Sequence, residues 1–135
     1  MRILAIDFGD TRTGLAASDL SGTLTGEAWV ITQTDMEKLA DEIVSEITKR
    51  SVGELVLGYP KNMDGTAGFR AEKTEVFRDM LAKRTNLPIT LWDERRTSFS
   101  ADQILIGVGK KGKKKKNLQD AVAASLILEG YLAKR

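Results

Sequence analysis

Neither cysteine nor histidine occurs anywhere in this 135-residue chain. The first absence excludes disulfides and thiolate chemistry. The second removes imidazole as a general base or metal ligand, and with it the common hydrolase triads. Long apolar runs are missing too, so no segment approaches membrane-spanning length. The opening MRILAIDFG meets Asp7 and Gly9 too soon for a signal peptide, which makes the cytoplasm the expected location.

Charge is modest in total, +2, but unevenly placed. Residues 1–109 carry 13 Lys/Arg against 17 Asp/Glu, and residues 110–135 carry 8 against 2. A near-neutral body with one basic stretch is compatible with contact to phosphates; a solvated loop explains the same run equally well. The length predicts one domain, 1–135, large enough to bury a core.

Hydrophobic periodicity lays out the elements. Arg2–Asp7 reads as a buried strand, Asp10–Thr13 as a tight turn, Gly14–Ser18 and Ala28–Thr32 as two more strands. Thr34-Asp-Met-Glu37 has capping-box spacing and opens an amphipathic helix to Arg50. Glu54–Gly58 is a short strand, Pro60–Gly68 a polar glycine-rich loop, and Phe69–Arg84 a helix with Val76, Phe77, Met80 and Leu81 facing inward. Pro88–Trp92 is a further strand, Ser98 or Ser100 opens a short helix through Val108, and Gly107–Asn117 reads as a mobile basic loop before a last helix from Leu118 to Ala133. Three sequential strands followed by alternating helices and strands predict an α/β chain with a mixed sheet covered by helices on both faces.

Three acids stand at the ends of such elements. Asp7 closes an apolar strand before a glycine, at the sheet edge where α/β sites form, though Asp before Gly is also an ordinary turn signal. Glu94 ends another strand with Asp93 beside it; in a strand these two point opposite ways, so at most one shares a site with Asp7, and Arg95 and Arg96 offer surface pairs for the other. Asp120 falls at the third position of the last helix if Asn117 is its cap, where an acid also serves the helix dipole. Ala121, Ala123 and Ala124 keep that helix thin enough to lie close to the sheet.

Converging carboxylates repel one another unless a cation joins them. An all-oxygen cluster suits Mg2+ or Mn2+, and two such ions fit phosphodiester hydrolysis without a side-chain base. Arg12, Arg95 and the lysines Lys110, Lys111, Lys113, Lys114, Lys115 and Lys116 would then contact phosphates. The loop from Tyr59 to Arg70 belongs at the same edge, making Asn62, Asp64, Thr66 and Arg70 candidates for contacts there, although Asp64-Gly65 alone is a common turn. Gly9 and Gly14 read first as turn residues. No P-loop or dinucleotide fingerprint is present.

Four blocks in order, IDFGDTRTGLAASD (6–19), LGYPKNMDGTAGFRAE (57–72), WDERRTSFSAD (92–102) and KKNLQDAVAASLILEGYL (115–132), resemble the YqgF/RuvX family across essentially the whole chain. Its members are bacterial proteins described as Holliday junction resolvases and as nucleases maturing the 5′ end of 16S ribosomal RNA. The resemblance implies an RNase H-like fold with a mixed five-stranded sheet whose second strand is antiparallel to its neighbours. It assigns catalysis and Mg2+ or Mn2+ binding to Asp7, Glu94 (in preference to Asp93) and Asp120. Gly9, Arg12 and Gly14 match the family's opening motif, Asn62, Asp64 and Gly65 its central loop, and the lysine run its basic segment before the last helix.

The expected activity is therefore a metal-dependent nuclease acting on precursor ribosomal RNA. One alternative is resolution of four-way DNA junctions, which favours a symmetric dimer although no clear dimer surface is visible, so a monomer or weak homodimer is expected. The other is a non-catalytic RNA-binding assembly factor. Phosphotransfer from ATP needs a larger two-domain frame than 135 residues supply. Tyr59, Phe69, Trp92 and Phe99 are candidate stacking groups, each expected to be partly buried.

Overall fold

A computed structural model of the chain describes residues 1–60, 64, 68–93 and 112–135, the first five of the last segment by backbone alone. The apolar segments order as β1 (Arg2–Asp7), β2 (Arg12–Ser18), β3 (Thr25–Thr32), α1 (Met36–Arg50), β4 (Val52–Tyr59), α2 (Phe69–Ala82), β5 (Ile89–Asp93) and α3 (Gly112–Lys134). The five strands form one sheet in the order β3-β2-β1-β4-β5. β2 runs antiparallel to both β1 and β3, while β4 is parallel to β1 and β5. This is the mixed five-stranded sheet that the sequence predicts, and β1 lies at its centre because its residues 3–6 are buried on both faces.

Strand alternation divides the core in two. Leu4, Ile6, Leu15, Leu55 and Leu57 face α1 and α2, where Leu39, Ala40, Ile43, Phe77 and Leu81 complete one cluster. Ile3, Ala5, Ala16 and Val56 face α3, where Ala124, Ile127 and Leu128 complete the other. Fully burying a side chain such as Phe77 or Ile127 contributes about 1.5–3 kcal/mol. The Phe8 ring stacks on Phe77 with centroids 4.5 Å apart, tying the exit of β1 to α2. Among the described residues no helix is long and apolar enough to cross a membrane.

Several boundaries differ from expectation. The cap of α1 is Asp35, not Thr34: its carboxylate accepts the Glu37 and Lys38 amides at 2.9 and 3.1 Å. An aspartate one residue later satisfies the same orphan N–H groups with a charge that also suits the helix dipole. Val76 of α2 is exposed, because Phe77, Leu81 and the buried Thr74 and Ala71 already fill that helix's inner face. α3 begins at Gly112, so 112–117 is helix rather than loop. Lysine is a good helix former, and the packed apolar turns downstream supply the nucleus from which the helix extends. The predicted short helix from Ser98 or Ser100 to Val108 lies outside the described residues.

Candidate active site at the carboxyl edge of the sheet

Asp7 is the last residue of β1. Alternation puts it on the α3 face, in line with Ile3 and Ala5, whose side chains pack there. Across the β1–β2 ladder Asp7 pairs with Gly14, so Gly14 and its neighbour by two, Arg12, share that face and that end of the sheet.

Gly14 is therefore a strand residue, as expected of the Gly14–Ser18 strand, and not a turn glycine. It lies against α3: a Cβ built on it would stand 2.0 Å from the backbone oxygen of Asp120. Only a glycine permits this approach, and it draws Asp120 down to the row that holds Asp7. The Arg12 guanidinium completes the contact, its Nε donating to the Asp120 Oδ2 at 2.9 Å. Both side chains keep nearly 30% of their surface open, so the pair is accessible as well as anchored. Asp120 is not in the first turn of its helix, since α3 starts eight residues earlier. The capping account of this acid therefore fails, and no helix-end amide explains its position.

Gly9 does form the expected tight turn, with the Arg12 carbonyl 2.1 Å from where its Cβ would be. The Gly9 amide donates to the Thr13 hydroxyl at 3.3 Å, closing the β1–β2 connection over which Asp7 and Arg12 are presented. On β5, Trp92 faces α3, stacking edge-on against Tyr131, whereas Leu91 packs on the α1/α2 side. Alternation then sets Asp93 on the side away from Asp7. Glu94, the next residue, lies outside the described residues, as do Asn62, Thr66, Arg95, Phe99, Lys110 and Lys111. Lys113, Lys114, Lys115 and Lys116 are on the first turns of α3 by their backbone. Asp64 occupies an exposed turn, and Arg70 is exposed in the first turn of α2.

One polar pair was not singled out by the sequence. Lys73 of α2 donates to the Asp10 carboxylate at 2.5 Å, and this bond, reinforced by the nearby Arg70 charge, holds the Asp10 pKa below the usual carboxylate value. No spacing rule connects residues 63 apart, so only the folded chain reveals it. Of the candidate stacking aromatics, Trp92 is buried, and Tyr59 donates its hydroxyl to Glu75 at 2.7 Å, which raises the phenol pKa. Phe69, against expectation, is 73% exposed.

Among the described residues no group of three or more acids is arranged to hold a metal. Asp7 and Asp120, two of the three acids the sequence nominates, do share one face and one end of the sheet. Their donors are all oxygen, in a chain lacking histidine and cysteine, which fits a hard divalent cation and no softer one.

Comparison with known proteins identifies the family and the fold. A family model described as "RuvX: Holliday junction resolvase" matches residues 1–134. A protein of Halothermothrix orenii, described as "Putative pre-16S rRNA nuclease", is 46% identical over 133 residues, covering 98% of this chain and 94% of its own. One of Lachnospira eligens, under the same description, is 41% identical over 138 residues, covering 98% and 96%. Among solved structures, Thermus thermophilus RuvC in complex with a Holliday junction superposes with a TM-score of 0.62 at 13% identity, covering 98% of this chain and 96% of that one. Fowlpox virus resolvase with junction DNA gives 0.61 at 15%, covering 99% and 98%. At such identities the structures establish the fold alone. With the family match running from residue 1 to 134 and full-length relatives 41–46% identical, the chain belongs to the RuvX family and carries an RNase H-like fold.

Proposed function

We propose that this protein is a divalent-metal-dependent phosphodiester hydrolase that matures the 5′ end of 16S ribosomal RNA from its precursor. The description shared by relatives aligned along nearly their whole length supports the substrate. The observation that carries the chemistry is the placement of Asp7 and Asp120 on one face and at one end of the sheet, through the Asp7–Gly14 register and the Gly14–Asp120 contact.

In this reading Asp7, Glu94 and Asp120 hold Mg2+ or Mn2+. The ion, when bound, supplies positive charge to an attacking water and to the departing oxygen. Arg12 binds Asp120 through Nε, which keeps the two Nη groups of its fork available to a substrate phosphate. Arg70, at the start of α2, and Asn62, Asp64 and Arg95 contact the strand around the scissile bond. Lys110, Lys111, Lys113, Lys114, Lys115 and Lys116 bind the backbone further away, setting affinity and salt dependence rather than sequence choice. The protein works in the cytoplasm, where the precursor is made, as a monomer or weak homodimer.

The family description favours one second reading, cleavage of four-way DNA junctions. Both are tested by incubating wild-type and Asp7→Asn protein with 5′-extended 16S precursor RNA and, in parallel, a labelled four-way junction, with Mn2+ present. RNA products that vanish in the variant are expected. Mutant-sensitive junction cutting without RNA cutting would replace the RNA reading. RNA binding without any cleavage would leave an assembly factor.

A further inference from the structure

On the opposite face of the same sheet edge, immediately after Asp7, the chain forms a partly open cavity of about 370 Å3. It is lined by Phe8, Asp10, Gln33, Thr34, Leu39 and Lys73, with Gly9 and Met36. Phe8 and Leu39 belong to the buried core and only close its floor, while Asp10, Gln33, Thr34 and Lys73 make the lining mainly polar. Pockets of about 300–1,000 Å3 with a few placed polar groups are the size that small ligand groups occupy.

The rim is held in place by bonds that run across it. The Gln33 amide donates to the Thr11 carbonyl at 2.9 Å, tying the end of β3 to the β1–β2 turn. The Gln33 side-chain oxygen accepts the Asp35 amide at 3.1 Å, which leaves its NH2 end to donate. Asp10 is ionised at neutral pH and acts as acceptor, with Lys73 as donor beside it. Beyond the rim, Lys73 Nζ stands 5.8 Å from the centroid of the exposed Phe69 ring, and Arg70 is exposed next in sequence. An aromatic face, two cations and a partly open cavity with both donors and acceptors therefore adjoin one another. Asp7 and Phe8, which begin the two faces, are one Cα step apart, about 3.8 Å.

Resting on the nuclease reading above, we propose that this cavity and the Phe69 ring form a nucleobase subsite, which takes an unstacked base of a single RNA strand beside the phosphate held at Asp7 and Asp120. The base enters the mouth of the cavity edge-first, and its polar edge meets Gln33, Thr34 and Asp10 at the rim. The following base stacks on Phe69, and Arg70 and Lys73 meet the phosphate between them. Recognition of RNA through splayed bases and aromatic platforms is the general mode for single strands.

The test uses Asp7→Asn protein as an uncleaving background and fluorescence anisotropy at fixed salt. The probe is a single-stranded RNA spanning the 5′ cleavage region, together with versions carrying one abasic position each. Thr34→Trp fills the cavity, Gln33→Ala removes a rim donor, and Phe69→Ala removes the platform; thermal midpoints report whether each variant folds. Stacking is worth about 1–3 kcal/mol per base, so Phe69→Ala should weaken binding by roughly 5- to 150-fold, and Thr34→Trp should weaken it as well by shutting the base out. One abasic position should cost the parent a similar factor and cost Thr34→Trp nothing further. Equal binding by the folded variants, or abasic penalties spread evenly along the strand, would overturn the subsite while leaving the nuclease reading intact. A parent that binds no RNA would overturn both.

Discussion

Gly14 and Asp120 touch backbone to backbone, close enough that the smallest side chain on the glycine would overlap the aspartate's carbonyl oxygen. The contact fixes how near α3 lies to β2, and with it the distance between the two described acids of the site. Gly14→Ala should push α3 outward and destabilise the fold by about 1–3 kcal/mol, the usual cost of overpacking. Gly53→Ala is the control. Its Cβ would meet the flexible Met1 side chain, which can move aside, so a smaller loss is expected. Urea denaturation of both variants reads the difference.

The Arg12–Asp120 pair is partly open to solvent, so its contribution to stability is small, about 1 kcal/mol or less. Arg12→Ala should therefore leave the denaturation midpoint nearly unchanged. If its fork meets a phosphate as proposed, the change should nevertheless weaken RNA binding in an uncleaving Asp7→Asn background. A variant that binds RNA as tightly as its parent would remove Arg12 from the substrate contacts.

Replacing Lys113, Lys114, Lys115 and Lys116 together by glutamine should keep the helix, since glutamine and lysine have similar helix propensity. If all four meet phosphates, the slope of log affinity against log salt falls by about 3 for a single strand. Anisotropy titrations at four or five salt concentrations give this slope directly. An unchanged slope would return the run to solubility alone.

Asp19 contributes to acid sensitivity away from the site. Asp19 accepts the Thr23 and Leu24 amides in the turn after β2, and these bonds, Thr23 first, bring its pKa down from 3.8 to about 2. A carboxylate with a depressed folded pKa adds stability above its unfolded pKa, and that contribution disappears as pH falls through the folded value. Between pH 4 and pH 2, wild type should lose stability faster than Asp19→Asn. Thermal midpoints across that window would show the two curves converging toward pH 2.

Ser51 ends α1 in the left-handed conformation, at φ 56°, with its amide donating to the Ile47 carbonyl. Only glycine adopts that geometry without steric cost. Ser51→Gly should therefore raise stability by about 0.5–1 kcal/mol despite removing a side chain. Chemical denaturation is sufficient to check the sign.

Sequence by itself determined the order and type of the described elements. The unbroken apolar run of β1, the apolar stripe of α1 and the alanines of α3 are local patterns, each readable within a single window. It also determined the chemistry available: without histidine or cysteine, any metal site must be built from oxygen. Asp7 and Asp120 were legible as candidates because each stands at a patterned place in its own element.

What the tertiary structure decided are relations between residues far apart in the chain. Asp120 could be read equally as a helix cap, until α3 proved to begin at Gly112 and the acid to be bound by Arg12, 108 residues away. Gly14 looked like no more than a turn glycine or the opening of a strand, because nothing in its own segment announces a helix packed upon it. Phe69 looked partly buried because composition reports hydrophobicity and not position; the inner face of α2 was already filled by Ala71, Thr74, Phe77 and Leu81. Local patterns follow from backbone geometry and are written in neighbouring residues. Contacts across the sheet depend on strand register and helix distance, which are set only when the whole core packs at once.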